Sequence, residues 1–249
     1  MTLLALSDVS KSYWRGRREV RVLDGISLEV EAGQCVAVRA GKREGKTSLL
    51  RIAAGLESPD AGAVFFEGRD LAAAAARRWW PRAARPVRVE GLEPGMGWVR
   101  RAGPSNKSTS MLRYVAWALM DDYNDREAMR RASAVLGELG VEDLARATWR
   151  ELSDSERILM AIAHAVARRP ALLLADDVTD GLGVDERETV LAVLRLRVEQ
   201  SGMAVLMTAE SVPATLRAHK IITLSDGKLV KPSVPPPAEV IQLPRRDSA

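Results

Sequence analysis

The chain has 249 residues, 47% of them apolar and 28% charged, with a formal net charge of +4. That length can bury a full core, and the balance is that of a soluble globular protein. The small charge argues against a nucleic-acid binder, a single cysteine excludes an internal disulfide, and no run of about 18 apolar residues offers a membrane span.

The N-terminus, MTLLALSDVS, lacks a basic region and a cleavage site. No signal peptide is expected, and the cytosol is the default compartment. Alternation in Leu3–Leu6 and Val20–Val30 predicts strands of an antiparallel sheet. Gln34–Arg39 is a short apolar strand carrying Cys35, read as a buried small residue. It runs into a glycine-containing turn and a helix over Lys46–Ala54. Gly62–Glu67 is another strand, Leu71–Pro94 is irregular and rich in Arg, Ala and Pro, and Met96–Arg100 is a strand. In the irregular segment Arg77, Arg78, Arg82, Arg85 and Arg88 surround Trp79 and Trp80, which reads as a solvated loop or as contact with an anionic membrane or partner.

Helical periodicity covers about Thr109 to Leu144, broken by the turn chemistry of Asp121–Asp125. Ser153 is an expected N-cap for a helix through Arg168, with Glu156 completing a capping box. Pro170 ends that helix, and Ala171–Ala175 is a buried strand. A helix over Asp185–Gln200 and strands at Met203–Thr208 and Ile221–Leu224 follow. The tail from Val230 to Ala249 is Pro-rich and expected to be disordered. Strands alternating with helices predict an α/β protein with a mainly parallel sheet covered on both faces.

Two stretches carry chemistry. Ala40-Gly41-Lys42-Arg43-Glu44-Gly45-Lys46-Thr47 lies between a strand and a helix, the setting of a phosphate-binding loop. Asp176 and Asp177 close the apolar run LLLA, so two carboxylates emerge at the end of a buried strand. His164, mid-helix where a helix-surface residue is expected, and His219, before the strand Ile221–Leu224, are read as structural.

The block ELSDSERILMAIAHAVARRPALLLADDVTDGLG, Glu151–Gly183, closely resembles the signature-to-Walker-B region of ABC-type ATPases. With VRVLDGISLEVEAG and GKTSLLRIAAGLESPDAGAVFFEGRDL, the resemblance runs from about Leu4 to Val230. Within the family it looks most like the ATPases of lipoprotein-release and macrolide-export systems. It implies a P-loop NTPase of ABC type: a mainly parallel core sheet, an antiparallel β layer, and a helical subdomain over about residues 103–168 of a single 1–230 domain.

The resemblance implies ATP and Mg2+ as cofactors. Gly41, Gly45, Lys46, Thr47 and Ser48 would bind ATP, with Lys46 on the β- and γ-phosphates. Thr47 and Asp176 would hold Mg2+. Tyr13 lies where the family stacks an aromatic on adenine, with Trp14 as neighbour. Ser153 would meet the γ-phosphate of the opposite subunit. Asp177 takes the place of the catalytic glutamate, one methylene shorter.

Other positions depart from the pattern. Ala40 and Arg43 replace loop glycines, and Glu44 puts a negative charge beside an anion site. A non-glycine residue held left-handed costs about 1–2 kcal/mol. Arg101 stands for the Q-loop glutamine, Ala209 for the switch histidine, Gly183 for the D-loop aspartate, and Asp154 and Ser155 for the signature glycines.

Weak ATP binding with little or no hydrolysis is expected. By resemblance the chain is a subunit on the cytoplasmic face of a separate membrane permease, working as a head-to-tail dimer. The partner would be an intact ATPase paralogue, a homodimer being the other arrangement. Alternatives are a non-enzymatic partner subunit that scaffolds an asymmetric heterodimer, and a non-transport role in DNA repair or translation. The last is weakened by the single unit, the low charge and the lack of a coiled-coil or zinc insertion.

Overall fold

The computed structural model describes residues 1–71, 92–99, 101–211, 215 and 217–230. The Arg/Trp cluster at 77–88 and the Pro-rich segment 231–249 lie outside them. Two sheets form. β1 (Thr2–Arg15), β2 (Arg18–Glu31), β4 (Ala61–Phe66) and β5 (Arg69–Asp70) make an antiparallel sheet in the order β2-β1-β4-β5. β3 (Cys35–Arg39), β6 (Met96–Val99), β7 (Leu172–Ala175), β8 (Ala204–Ala209), β9 (Lys220–Ser225) and β10 (Lys228–Val230) make the second, ordered β10-β9-β3-β8-β7-β6. All its pairings are parallel except β10 with β9.

β7 is apolar throughout, and β3 and β8 are apolar but for Arg39 and Thr208, because both faces of these strands are covered. Successive side chains of a strand point to opposite faces. Val36, Val38, Leu172, Leu174 and Leu206 therefore enter one core with α1 (Lys46–Ala53) and the antiparallel sheet. Cys35, Ala37, Leu173, Ala175, Val205 and Met207 enter the other. There they meet α2 (Met111–Trp117), α3 (Asp125–Glu138), α4 (Asp154–Val166) and α5 (Val184–Ser201). Burial pushes the Cys35 thiol up to about 12, so it is a packing group.

The helix starts follow their local chemistry. Asn124 caps α3 by accepting from the Glu127 N–H at 3.0 Å. Ser153 caps α4, and Glu156 accepts from the Ser153 N–H at 2.7 Å, which completes the expected capping box. Gly202, left-handed at φ 68°, ends α5.

Three sequence expectations change. The hairpin arm β10 includes Val230, which composition had assigned to the tail, because β9 supplies it with backbone partners. The two-residue β5 is too short to leave a pattern. His164 is not a surface group of its helix. Its ring stacks on Tyr114 with centroids 4.6 Å apart, and Tyr114 meets Trp149 edge-on at 5.9 Å. His219 is structural as expected, its Nδ1 accepting from the Cys35 N–H.

Trp149 closes directly over Gly103. A Cβ on that glycine would lie 2.2 Å from the indole Cδ2. Gly103→Ala is expected to destabilise by about 2 kcal/mol and lower Tm by roughly 4–8 °C. Gly137→Ala, in α3 with nothing within 4 Å of the added atom, is the control. It should leave Tm level or slightly higher. Thermal melts of the two variants decide this, and equal melting would contradict the packing argument.

Candidate functional site

The parallel strands β3, β7 and β8 end side by side, and the loops leaving them build the site. This is the edge at which open α/β sheets bind ligands. From β3 the chain turns through residues 40–45 into α1. Gly45, at φ 96°, has Val22 Cγ1 2.6 Å from where a Cβ would stand, so the turn requires glycine twice over. The left-handed penalty expected at both replaced glycines falls on one only. Arg43 has φ 66°, whereas Ala40 is not left-handed, is buried, and donates its N–H to the Ala209 carbonyl.

Lys46 opens α1 and is 5% exposed. Its Nζ donates to the Ala40 and Gly41 carbonyls at 3.1 and 3.3 Å. It also lies 3.2 Å from the Asp177 carboxylate and 3.4 Å from that of Glu210. Thr47 Oγ1 donates to Asp176 Oδ2 at 2.8 Å. Thr208 Oγ1 donates to Asp176 Oδ1 and accepts from the Asp177 N–H, both at 2.9 Å. One buried hydroxyl on β8 thus sets the acidic pair at the end of β7.

Asp177 is left-handed at φ 45°, which turns its side chain toward Lys46. Burial raises its pKa, and Lys46 opposes that rise. Asp180 is also raised, first by burial and then by Glu210. Asp177, Asp180 and Glu210 bring carboxylate oxygens within 4.8 Å of one another, so Lys46 faces a crowded set of negative charges. Arg101, which the resemblance put in place of a glutamine, donates to the Asp177 and Asp180 carbonyls at 3.4 and 3.0 Å.

A cleft of about 440 Å³ opens above this floor, lined by Tyr13, Lys42, Gly45, Lys46, Thr47, Ser48, Asp177 and Glu210 among others. The Tyr13 hydroxyl donates to Glu57 Oε1 at 2.7 Å and accepts from the Ser48 hydroxyl at 3.0 Å, which fixes the ring at the rim. Trp14 is 72% exposed and does not line the cleft. Gly41 is beside it, its N–H taken by the Glu44 carboxylate. Ser153 is not among the lining residues. It caps α4, its hydroxyl 3.2 Å from that of Ser155, which donates to Glu186 at 3.1 Å. Glu210, Thr208 and Glu57 escaped the sequence reading. Glu210 carried a signal, since it follows the end of a parallel strand, where ligand-facing groups collect.

The donor set suits the expected cofactors. Thr47 and Asp176 place a hydroxyl and a carboxylate together, the oxygen-only chemistry that Mg2+ prefers. Lys46 at a helix N-terminus is a phosphate-directed cation.

The family model for the ABC transporter matches residues 23–180, more than half of the chain. The chain belongs to the ABC transporter family. Over 231 residues it is 32% identical to the methionine import ATP-binding protein MetN of Myxococcus xanthus, covering 92% of this chain and 67% of that protein. Over 227 residues it is 30% identical to the lipoprotein-releasing system ATP-binding protein LolD of Nitrobacter hamburgensis, covering 91% and 94%. Among solved structures it superposes with a TM-score of 0.73 and 22% identity on the dimeric post-hydrolysis state of the ATP-binding cassette MJ0796 bound to ADP and Pi, covering 91% and 96% of the two chains. The family's architecture of an ABC ATP-binding domain is therefore this chain's fold. Among the described residues no helix is long and apolar enough to cross a membrane.

Proposed function

We propose that the chain is the nucleotide-binding subunit of a transporter, docked at the cytoplasmic face on a separate membrane permease, and that it binds Mg-ATP with impaired hydrolysis. In this reading residues 1–230 form one nucleotide-binding domain, with its helical part over about 103–168. The observation that carries the proposal is that Lys46 and Thr47, which open α1, meet Asp177 and Asp176, which follow β7, with Lys46, Thr47 and Asp177 lining one cleft. Lys46 would hold the phosphates, Thr47 and Asp176 would hold Mg2+, and Tyr13 would border the base. A bound nucleotide with Mg2+ supplies the scissile phosphoanhydride and its charge neutralisation.

The impairment rests on side chains. Ala209 carries no imidazole, and Asp177 is turned onto Lys46. The second reading, a partner that scaffolds an asymmetric heterodimer, is favoured by the signature region. There the Ser155 hydroxyl is already committed to Glu186, and Asp154 adds a charge that repels phosphate. In a heterodimer, hydrolysis would sit where an intact paralogue supplies the Walker residues and this chain supplies Ser153.

The test is co-expression with a candidate permease and paralogue, followed by mutation of the acidic residue after Walker B in each ATPase subunit. Transport should survive Asp177→Asn and fail with the partner's equivalent change. The reverse pattern exchanges the two roles. A transporting complex with this chain as its only ATPase subunit ends the heterodimer reading.

A further inference from the structure

Lys46 has more partners than protons. Its ammonium carries three N–H donors. Four oxygens surround it: the Ala40 and Gly41 carbonyls at 3.1 and 3.3 Å, Asp177 Oδ2 at 3.2 Å and Glu210 Oε1 at 3.4 Å. Lys46, Asp177 and Glu210 all line the same cleft. A phosphate oxygen that takes Lys46 as its counter-charge there must displace one of the four. Three of them are held in place from elsewhere. The two carbonyls belong to the loop backbone, where Ala40 is anchored by its N–H to the Ala209 carbonyl. Asp177 is anchored by its N–H to Thr208 Oγ1 at 2.9 Å and by its left-handed backbone. Glu210 differs. It follows the end of β8 on a side chain with three rotatable bonds, is 30% exposed, and makes the longest of the four contacts. Its carboxylate is also crowded by those of Asp177 and Asp180, with oxygens of all three within 4.8 Å of one another. Of the four partners, Glu210 gives up Lys46 at the least cost.

We infer that Glu210 is a positioning residue of the nucleotide site: it latches the Lys46 ammonium at the cleft wall, and a nucleotide polyphosphate must take Lys46 from it to bind. The latch rests on the nucleotide reading above and adds to it what sets the affinity. An entering phosphate gains Lys46 by exchanging one anion for another, so part of its attraction is already spent. The displaced carboxylate stays tethered at the end of β8, and its charge opposes the phosphates beside it. Removing the carboxylate relieves both costs, because a phosphate oxygen then takes the fourth place around Lys46 that Glu210 held.

The experiment uses the full chain in four forms: unaltered, Glu210→Gln, Glu210→Ala and Glu142→Gln. The last makes the same charge change at an exposed residue of the 3-10 turn Glu142–Arg146. Calorimetric titration with Mg-ATP reads affinity. The Lys46 ¹³Cε resonance of ¹³C-lysine-labelled protein without nucleotide, assigned by its loss in Lys46→Ala, reads the contact. Both Glu210 variants should bind Mg-ATP about 10-fold tighter, since a charged hydrogen bond no longer has to be broken. Glu142→Gln should match the unaltered chain. The Lys46 resonance should move in Glu210→Ala and stay in place in Glu142→Gln. Adding Lys46→Ala should remove the gain, which a merely structural role for Glu210 would not require. Equal or weaker binding in both Glu210 variants, with binding still lost on Lys46→Ala, overturns the latch and leaves the nucleotide site standing. An unmoved Lys46 resonance in Glu210→Ala overturns the contact itself. No binding by any form at millimolar Mg-ATP overturns both the latch and the nucleotide reading.

Discussion

Lys46→Ala is expected to weaken Mg-ATP binding by about 100-fold or more. Lys46 is the buried cation at the cleft floor, and its ammonium is positioned by two loop carbonyls. A charge-assisted contact of about 1.5–3 kcal/mol corresponds to roughly 10- to 100-fold. Two phosphate oxygens sharing one ammonium place the loss at the upper end. The same change strips Asp177 and Glu210 of their counter-charge. Asp177 is already raised above the ordinary aspartate value of 3.8 by burial, with Lys46 pulling the other way. Without Lys46 the folded state holds the Asp177 proton more tightly still. A group raised in the folded state contributes stability at low pH and loses it as pH rises through its folded pKa. The variant should therefore lose stability against the unaltered chain as pH climbs above the ordinary aspartate range. Denaturant melts at pH 5 and pH 8 read this directly. A constant stability difference between the two pH values would show that Asp177 does not depend on Lys46, and unchanged nucleotide affinity would remove the cleft as the binding site.

Turnover by the isolated chain should fall about 100-fold or more below the roughly 1 s⁻¹ at which ordinary enzymes begin. Asp177 is shorter than a glutamate by a methylene, and a misplacement of about 1 Å is worth about 100-fold. Here the carboxylate is also engaged with Lys46 at 3.2 Å, and its left-handed backbone aims it there. Ala209 offers no donor to a γ-phosphate, and Arg101 spends its guanidinium on the carbonyls of Asp177 and Asp180. Groups that act as one catalytic unit are not additive, so repairing one should restore little. Asp177→Glu alone and Ala209→His alone should each stay near the starting rate, while the double change should exceed the product of the two. Phosphate release from purified protein measures all four. Turnover of about 1 s⁻¹ or more in the unaltered chain, lost on Asp177→Asn, would sink this expectation.

Much of the architecture was legible before any coordinates, and for a local reason. Apolar runs such as CVAV and LLLA mark strands buried on both faces, Pro170 marks a helix end, and Ser153 with Glu156 writes its capping box within four residues. Each signal acts over a turn or two of chain, so periodicity and turn chemistry expose it. The same holds for the strand–loop–helix around Lys46 and the acidic pair after β7. β5 and β10 were missed because two or three residues carry no period, and their partners come from neighbouring strands.

Within the site the division is sharper. The residue types at Lys46, Thr47, Asp176 and Asp177 are matters of sequence alone, as are the departures at Arg101 and Ala209. What each side chain touches was decided by the packing of β3, β7 and β8. That packing places Glu210 against Lys46 across 164 positions and Thr208 between two aspartates 31 and 32 positions away. No local pattern encodes such pairings, since they arise when strands far apart in the chain align their ends. Even the Glu44 contact, three residues long, needed coordinates. The sequence shows an acid beside an anion loop, but only the left-handed turn at Arg43 brings that acid onto the Gly41 N–H.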